Sequence, residues 1–308
     1  MTTRAFTTPL SLSGPLRHPR QMLANQTYGG HESIHDGAMA KQLGFSGAPI
    51  EGPTHFSQFD PLLVQVFGPA WFERGCISAH YKNMVVEGEQ VKATVELPGD
   101  EPNRARISAA KEDGTSVLEG TATLGPTYPD SDLDERMKRL GPPEKLVILR
   151  DVKVGDRSPE IEEVIMGFDQ HMGDGYPFTL DDKLKNITEP SSWYTKDGGK
   201  DSPFGRAIIP FEMISVLSQY TAWRSGWKIR TPHVGLFADL EIKLLGAPLF
   251  VGKAYGLTRE VVCLSESRRT ESIWVRTTLT DPDTKKPCAS ILLNHAVVKA
   301  SFPDYDKG

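Results

Sequence analysis

One order of elements occurs twice along these 308 residues: an apolar helix, then strands joined by tight turns. In the first half, Pro53 opens a helix candidate whose apolar residues, Phe56, Phe59, Leu62-Leu63 and Val66-Phe67, recur at helical spacing up to Trp71-Phe72. Pro61 inside it marks either a kink or the true start. An alternating stretch at 77–86 follows, then a turn at Glu87-Gly88-Glu89 and a strand at 91–97 with the period of two of a half-buried sheet. Segments 104–110 and 116–124 flank Asp113-Gly114, a strong hairpin signal.

The second half runs likewise. Pro210-Phe211-Glu212-Met213 opens a helix with Ile214, Leu217, Tyr220 and Trp223 on one face. Strands are predicted at 236–245, 251–257, 267–279 and 289–300, with turns at Gly246-Ala247-Pro248 and Asp281-Pro282-Asp283. Local identity is thin, as Gln90-Val91-Lys92-Ala93 against Val251-Gly252-Lys253-Ala254 shows, so the order of elements defines the repeat. Between the copies, 128–145 is rich in Pro, Asp and charge and reads as a linker with one helical turn. The expected division is 1–127, a linker at 128–149, and 150–308.

Chemistry concentrates just before the first helix. His31-Glu32-Ser33-Ile34-His35-Asp36 places two imidazoles and two carboxylates in six residues, after the turn-formers Tyr28-Gly29-Gly30. Ala40, Gly44-Phe45, Pro49-Ile50 and Gly52 follow. A base near neutral pH held beside a rigid buried element is what proton transfer requires.

This pattern resembles the MaoC-like, R-specific enoyl-CoA hydratases of the hotdog fold. Ile34-His35 matches the Ile-His step of their motif, and Ala40, Gly44-Phe45, Pro49-Ile50 and Gly52 fall close to their places. Gly30 stands where the family has its catalytic Asp, Glu32-Ser33 replace Asn-Pro, and Glu51 replaces the His before Gly52. Val152-Lys153-Val154-Gly155-Asp156 looks like the opening of a second such domain. The resemblance implies an α+β double hotdog: two helix-wrapped antiparallel sheets paired as a pseudo-dimer in one chain. It also implies a homo-oligomer and an acyl-thioester substrate carried by CoA or a carrier protein.

In that family a His and an Asp activate the water that adds to C3 of a 2-enoyl thioester. Here His35 is the expected base, and Asp36 or Glu32 takes the place of the carboxylate missing at Gly30. Glu51 and His55, at the helix mouth, are further acid–base candidates, and the Gly52 backbone is the oxyanion donor candidate, because Pro53 has no N–H. His31 joins the set as a substrate-binding residue; with His35 it has metal-ligand spacing, but no third ligand stands out and no metal is expected. Lys82 and Arg206 are the candidates for meeting CoA phosphates. The second half has no Ile-His step, and His171 is the one imidazole just upstream of its helix, so the first half is expected to hold the site.

Two other readings stay open: an acyl-thioester hydrolase using Glu51 or Asp60 of the helix, and a non-catalytic acyl-binding hotdog protein. Composition narrows the rest. A net charge of −5 supplies no excess of cations for nucleic acid. No apolar run reaches the roughly 18 residues of a membrane span, and the first residues lack a signal-peptide core. Cys76, Cys263 and Cys288 suggest a reducing cytoplasm. No dinucleotide fingerprint or phosphate loop occurs, so no cofactor is expected.

Overall fold

The computed structural model describes residues 9–26, 33–35, 37–42, 44, 46–303 and 305. The first half contributes β1 (Ser11–Ser13), α1 (Gly37–Gln42), a 3-10 segment Gly52–Phe59, α2 (Asp60–Phe67) and α3 (Trp71–Arg74). Four strands follow, β2 (Gly75–Tyr81), β3 (Val91–Glu96), β4 (Arg104–Lys111) and β5 (Ser116–Leu124). After α4 (Asp132–Met137) come β6 (Glu162–Val164), α5 (Leu180–Leu184) and α6 (Phe211–Gln219). Then β7 (Gly235–Leu244), β8 (Tyr255–Glu266), β9 (Thr270–Thr280) and β10 (Pro287–Val298) complete the second half.

All ten strands form one antiparallel sheet in the order β1-β3-β4-β5-β2-β7-β10-β9-β8-β6. Read outward from the β2–β7 seam, the two halves have the same order, which is the repeat expected from the sequence. At the seam Ile77 faces Ile242 and His80 faces Asp239. On one face the 3-10 segment packs along α6, and the rings of Trp71 and Phe211 stack at 4.8 Å. One core runs through both halves, from Phe56 and Leu63 to Met213 and Leu217. Burying these side chains at roughly 1.5–3 kcal/mol each is what holds the halves in register.

The helix openings are equivalent. Pro49 bridges to Val86 and Ile208 to Phe250, so Pro49 corresponds to Ile208 and Gly52 to Phe211. Pro61 is the true start of α2 and not a kink, because a missing N–H costs nothing in the first turn. Other expectations need correcting. The first helix is broken: a 3-10 segment leads into α2, and Gly68 at φ 69° ends it before Trp71. Strand β2 stops at Tyr81 and does not reach Val86, whose backbone instead pairs with the helix lead-in. Residues 251–254 are a turn around Gly252 at φ 73°, and β8 begins at Tyr255. Trp223 lies past the end of α6 with 76% of its surface exposed, so it is not on the buried face.

The linker is ordered over the back of the sheet. Ser131 caps α4 through a capping box with Asp134, and Leu133, fully buried, inserts against the seam. Leu133 N–H donates to Ser78 Oγ (3.1 Å) and Asp132 N–H to Thr121 Oγ1 (2.9 Å). Among the described residues no helix is long and apolar enough to cross a membrane.

Candidate active site

A 3-10 helix has three residues per turn, so side chains three apart stack in rows. Along Gly52–Phe59 this sorts the sequence into three edges. Phe56 and Phe59 enter the core. Gly52 and His55 face a cleft of about 2010 Å³ that His35, Glu51 and Lys82 also line. Thr54 and Ser57, in register with Glu51 and Asp60, turn toward the second half and are buried there.

That last row is a run of buried polar groups in a helix that otherwise reads as core. Thr54, Ser57 and Asp60 each find a partner from the other half. Lys183 Nζ donates to Thr54 Oγ1 (3.0 Å) and lies 3.4 Å from Glu212 Oε1, while Ser57 Oγ donates to Glu212 Oε2 (2.7 Å). Lys183 is carried by α5, which starts at a capping box between Thr179 and Asp182. Asp60 accepts from Trp71 Nε1 and Tyr194 Oη, both at 3.0 Å. Burial outweighs these bonds and pushes Asp60 up to about 7. Both its oxygens are taken and it does not line the cleft, which argues against the hydrolytic base considered for it.

Glu51 is different. It lies at the mouth of the segment, lines the cleft, and its Oε1 is buried without a hydrogen bond. Burial raises its pKa to about 7, with the Lys183 charge pulling down and Glu212 pushing up. A carboxyl poised there exchanges protons readily at neutral pH. Burial, then the charges of Lys183 and Lys111, push His55 down to about 4, so its ring is neutral. Its Nδ1 lies 3.5 Å from Gln58 Nε2, the next residue along its edge.

His35 reaches the same cleft from the loop before α1, its ring half-buried. Nδ1 sits 2.7 Å from the Pro49 carbonyl oxygen. A carbonyl only accepts, so Nδ1 carries the proton and Nε2 keeps its lone pair. Burial lowers the His35 pKa, opposed by the bond to Pro49, and keeps the ring a neutral base at pH 7. Gln21 braces the arrangement by donating to the same carbonyl.

The structure thus gathers His35, Glu51, Gly52, His55 and Lys82 around one cleft. Lys82 Nζ also lies 3.4 Å from Glu119 on an exposed edge. Arg206 is elsewhere, its guanidinium over the Phe250 ring at 4.8 Å and not lining the cleft. His171 is exposed at the second-half end of the cleft. His31, Glu32 and Asp36 lie outside the described residues, as does the turn at 28–30. Among the described residues no group of three or more His, Cys, Asp or Glu could hold a metal ion.

Sequence reasoning missed Lys183, Glu212 and Tyr81. Two signals were available: an acid inside the apolar run Phe211-Glu212-Met213-Ile214, and the capping-box sequence that positions Lys183. Arg224, Arg268 and Arg269, which line the second-half end of the cleft, carried no sequence signal.

No family model matches the chain, and no curated protein does. Solved structures do match. A Chloroflexus aurantiacus protein described as a MaoC domain dehydratase shares 15% identity, with a TM-score of 0.55 and 95% of each chain covered. A conserved Mycobacterium tuberculosis protein with a double hotdog fold shares 9%, with a TM-score of 0.53 over 95% of this chain and 97% of that one. The chain is a double hotdog. At these identities the likeness speaks for the fold, and the chemistry rests on the residues of the cleft.

Proposed function

We propose that this double hotdog is a hydro-lyase that adds water to the C2=C3 bond of a 2-enoyl thioester, or removes it in reverse. The observation that carries the reading is the tie between His35 Nδ1 and the Pro49 carbonyl, two residues before Glu51. It sets a base whose Nε2 keeps its lone pair, and Glu51, a carboxyl titrating near 7, lines the same cleft. In the forward direction His35 Nε2 takes a proton from water as the oxygen bonds to C3. The C2=C3 electron pair moves toward the thioester oxygen, and Glu51 in its protonated form supplies the proton to C2. Gly52 N–H, at the first position of the 3-10 segment, has no acceptor within the helix and is free to take the oxyanion.

The second half completes the site. Lys183 and Glu212 set the charge around Glu51, and Arg224, Arg268 and Arg269 offer cations at the far end of the cleft. Phosphates of a CoA ester are suited to such a rim, and CoA is the carrier we favour. Thioester hydrolysis is the second reading, favoured by one feature: Glu51 is a cleft carboxyl on the helix, able to activate water alone. Loss of the enoyl absorbance of crotonyl-CoA without thiol release supports the lyase, and thiol release from saturated and unsaturated esters alike overturns it.

A further inference from the structure

We propose that the Tyr81 hydroxyl is a second hydrogen-bond donor to the thioester carbonyl oxygen, acting beside the Gly52 N–H. The inference rests on the reading of the cleft as an acyl-thioester site and adds a residue that the motif does not contain.

Tyr81 ends β2, and its ring stacks on Phe56 with centroids 6.4 Å apart. A Cβ built on Gly52 would lie 2.7 Å from Tyr81 Cζ, the carbon that bears the hydroxyl. The polar tip of the phenol therefore stands over the start of the 3-10 segment, and only a glycine lets it approach so closely. Tyr81, Gly52 and Glu51 all line the cleft. The hydroxyl is buried and has no hydrogen-bond partner. Glu51 Oε1 is also buried and unbonded, so neither group satisfies the other.

An unpaired buried donor is destabilising, and a bound acceptor removes that penalty. The acceptor that fits is an oxygen, because burial and the neighbouring Glu51 raise the Tyr81 pKa well above its usual 10 and keep the phenol a donor. As water adds to C3, negative charge grows on the thioester oxygen, and Pro53 has no N–H to meet it. Two donors aimed at that oxygen, Gly52 N–H and Tyr81 O–H, make the pair that acyl-thioester chemistry requires. The charge returns to carbon when C2 is protonated, so Tyr81 keeps its proton throughout.

Tyr81→Phe removes only the unpaired oxygen, so the variant should fold with equal or greater thermal stability. The probe is a ketone analogue of butyryl-CoA, with CH2 in place of sulfur and a 13C carbonyl, which cannot be hydrolysed. In the wild type the bound carbonyl stretch should fall in frequency, and in Tyr81→Phe that shift should be at least halved. For crotonyl-CoA, kcat of Tyr81→Phe should fall by ~10²-fold, the scale of a lost oxyanion donor. Equal carbonyl shifts with hydration intact overturn the donor and leave the lyase reading standing. A Tyr81-dependent shift in a protein that neither hydrates nor hydrolyses crotonyl-CoA supports the donor and overturns the lyase. Failure of the wild type to bind the ketone overturns both.

Discussion

Replacing Glu51 with Gln tests the electrostatics of the site where the structure gives a magnitude. The folded protein holds this carboxyl at about 7 against its ordinary 4.5, chiefly by burial. Below pH 4.5 it is protonated in both states and contributes no pH dependence. Between 4.5 and about 7 the unfolded chain gives up the proton while the folded one keeps it, so stability falls as pH rises through that window. At ~1.4 kcal/mol per pH unit, the full loss is on the order of 3 kcal/mol by pH 8. Gln cannot ionise. Denaturant unfolding at pH 5 and pH 8 should therefore show Glu51→Gln gaining on the wild type by about 2–3 kcal/mol over the interval. The same substitution should abolish proton delivery and cut hydration by ~10²-fold or more. A stability gap identical at both pH values would refute the assignment of a buried, half-ionised carboxyl at this position.

Other expectations follow from named contacts. His35→Ala should reduce turnover of a trans-2-enoyl thioester by ~10²-fold with an unchanged melting temperature, measured by loss of enoyl absorbance and a thermal scan. Gly52→Ala should cost about 1–3 kcal/mol, because the new methyl meets the Tyr81 ring at 2.7 Å; unfolding in urea reads it, and a neutral result would contradict the close approach. Lys183→Met should destabilise by about 3–5 kcal/mol at pH 8, where Glu51 and Glu212 lose their shared cation, and by less at pH 5, where Glu51 is protonated. Equal losses at both pH values would show that Lys183 acts through packing and not charge.

The fold was legible because its determinants are local and occur twice. Apolar spacing from Phe56 to Phe67 and the Asp113-Gly114 hairpin mark one unit, and the order of strands after Pro210 marks the other. What spacing could not distinguish was a 3-10 segment from an α-helix, since both bury residues three apart. The difference matters for the site, as it sets Gly52 and His55 on the cleft edge and Thr54 and Ser57 on the seam edge. His35, Glu51, Gly52 and His55 could be named because they lie within 21 residues of one another, in the stretch that carries the motif. Lys183, Glu212 and Tyr81 were harder to place, because pairing of the two halves and the end of a strand bring them to the helix mouth from distant positions. Trp223 was misplaced for a related reason: the helical period continues in the sequence past Gln219, where the helix has ended.

The central claim, that the cleft joins water to carbon 3 of an acyl thioester, is tested most directly by the fate of the water oxygen. Crotonyl-CoA incubated with the wild type in H2(18)O should yield 3-hydroxybutyryl-CoA with the label on C3, and none with His35→Ala on the same time scale. Label found instead in a free carboxylate, or the same C3 labelling by the variant, would contradict the account.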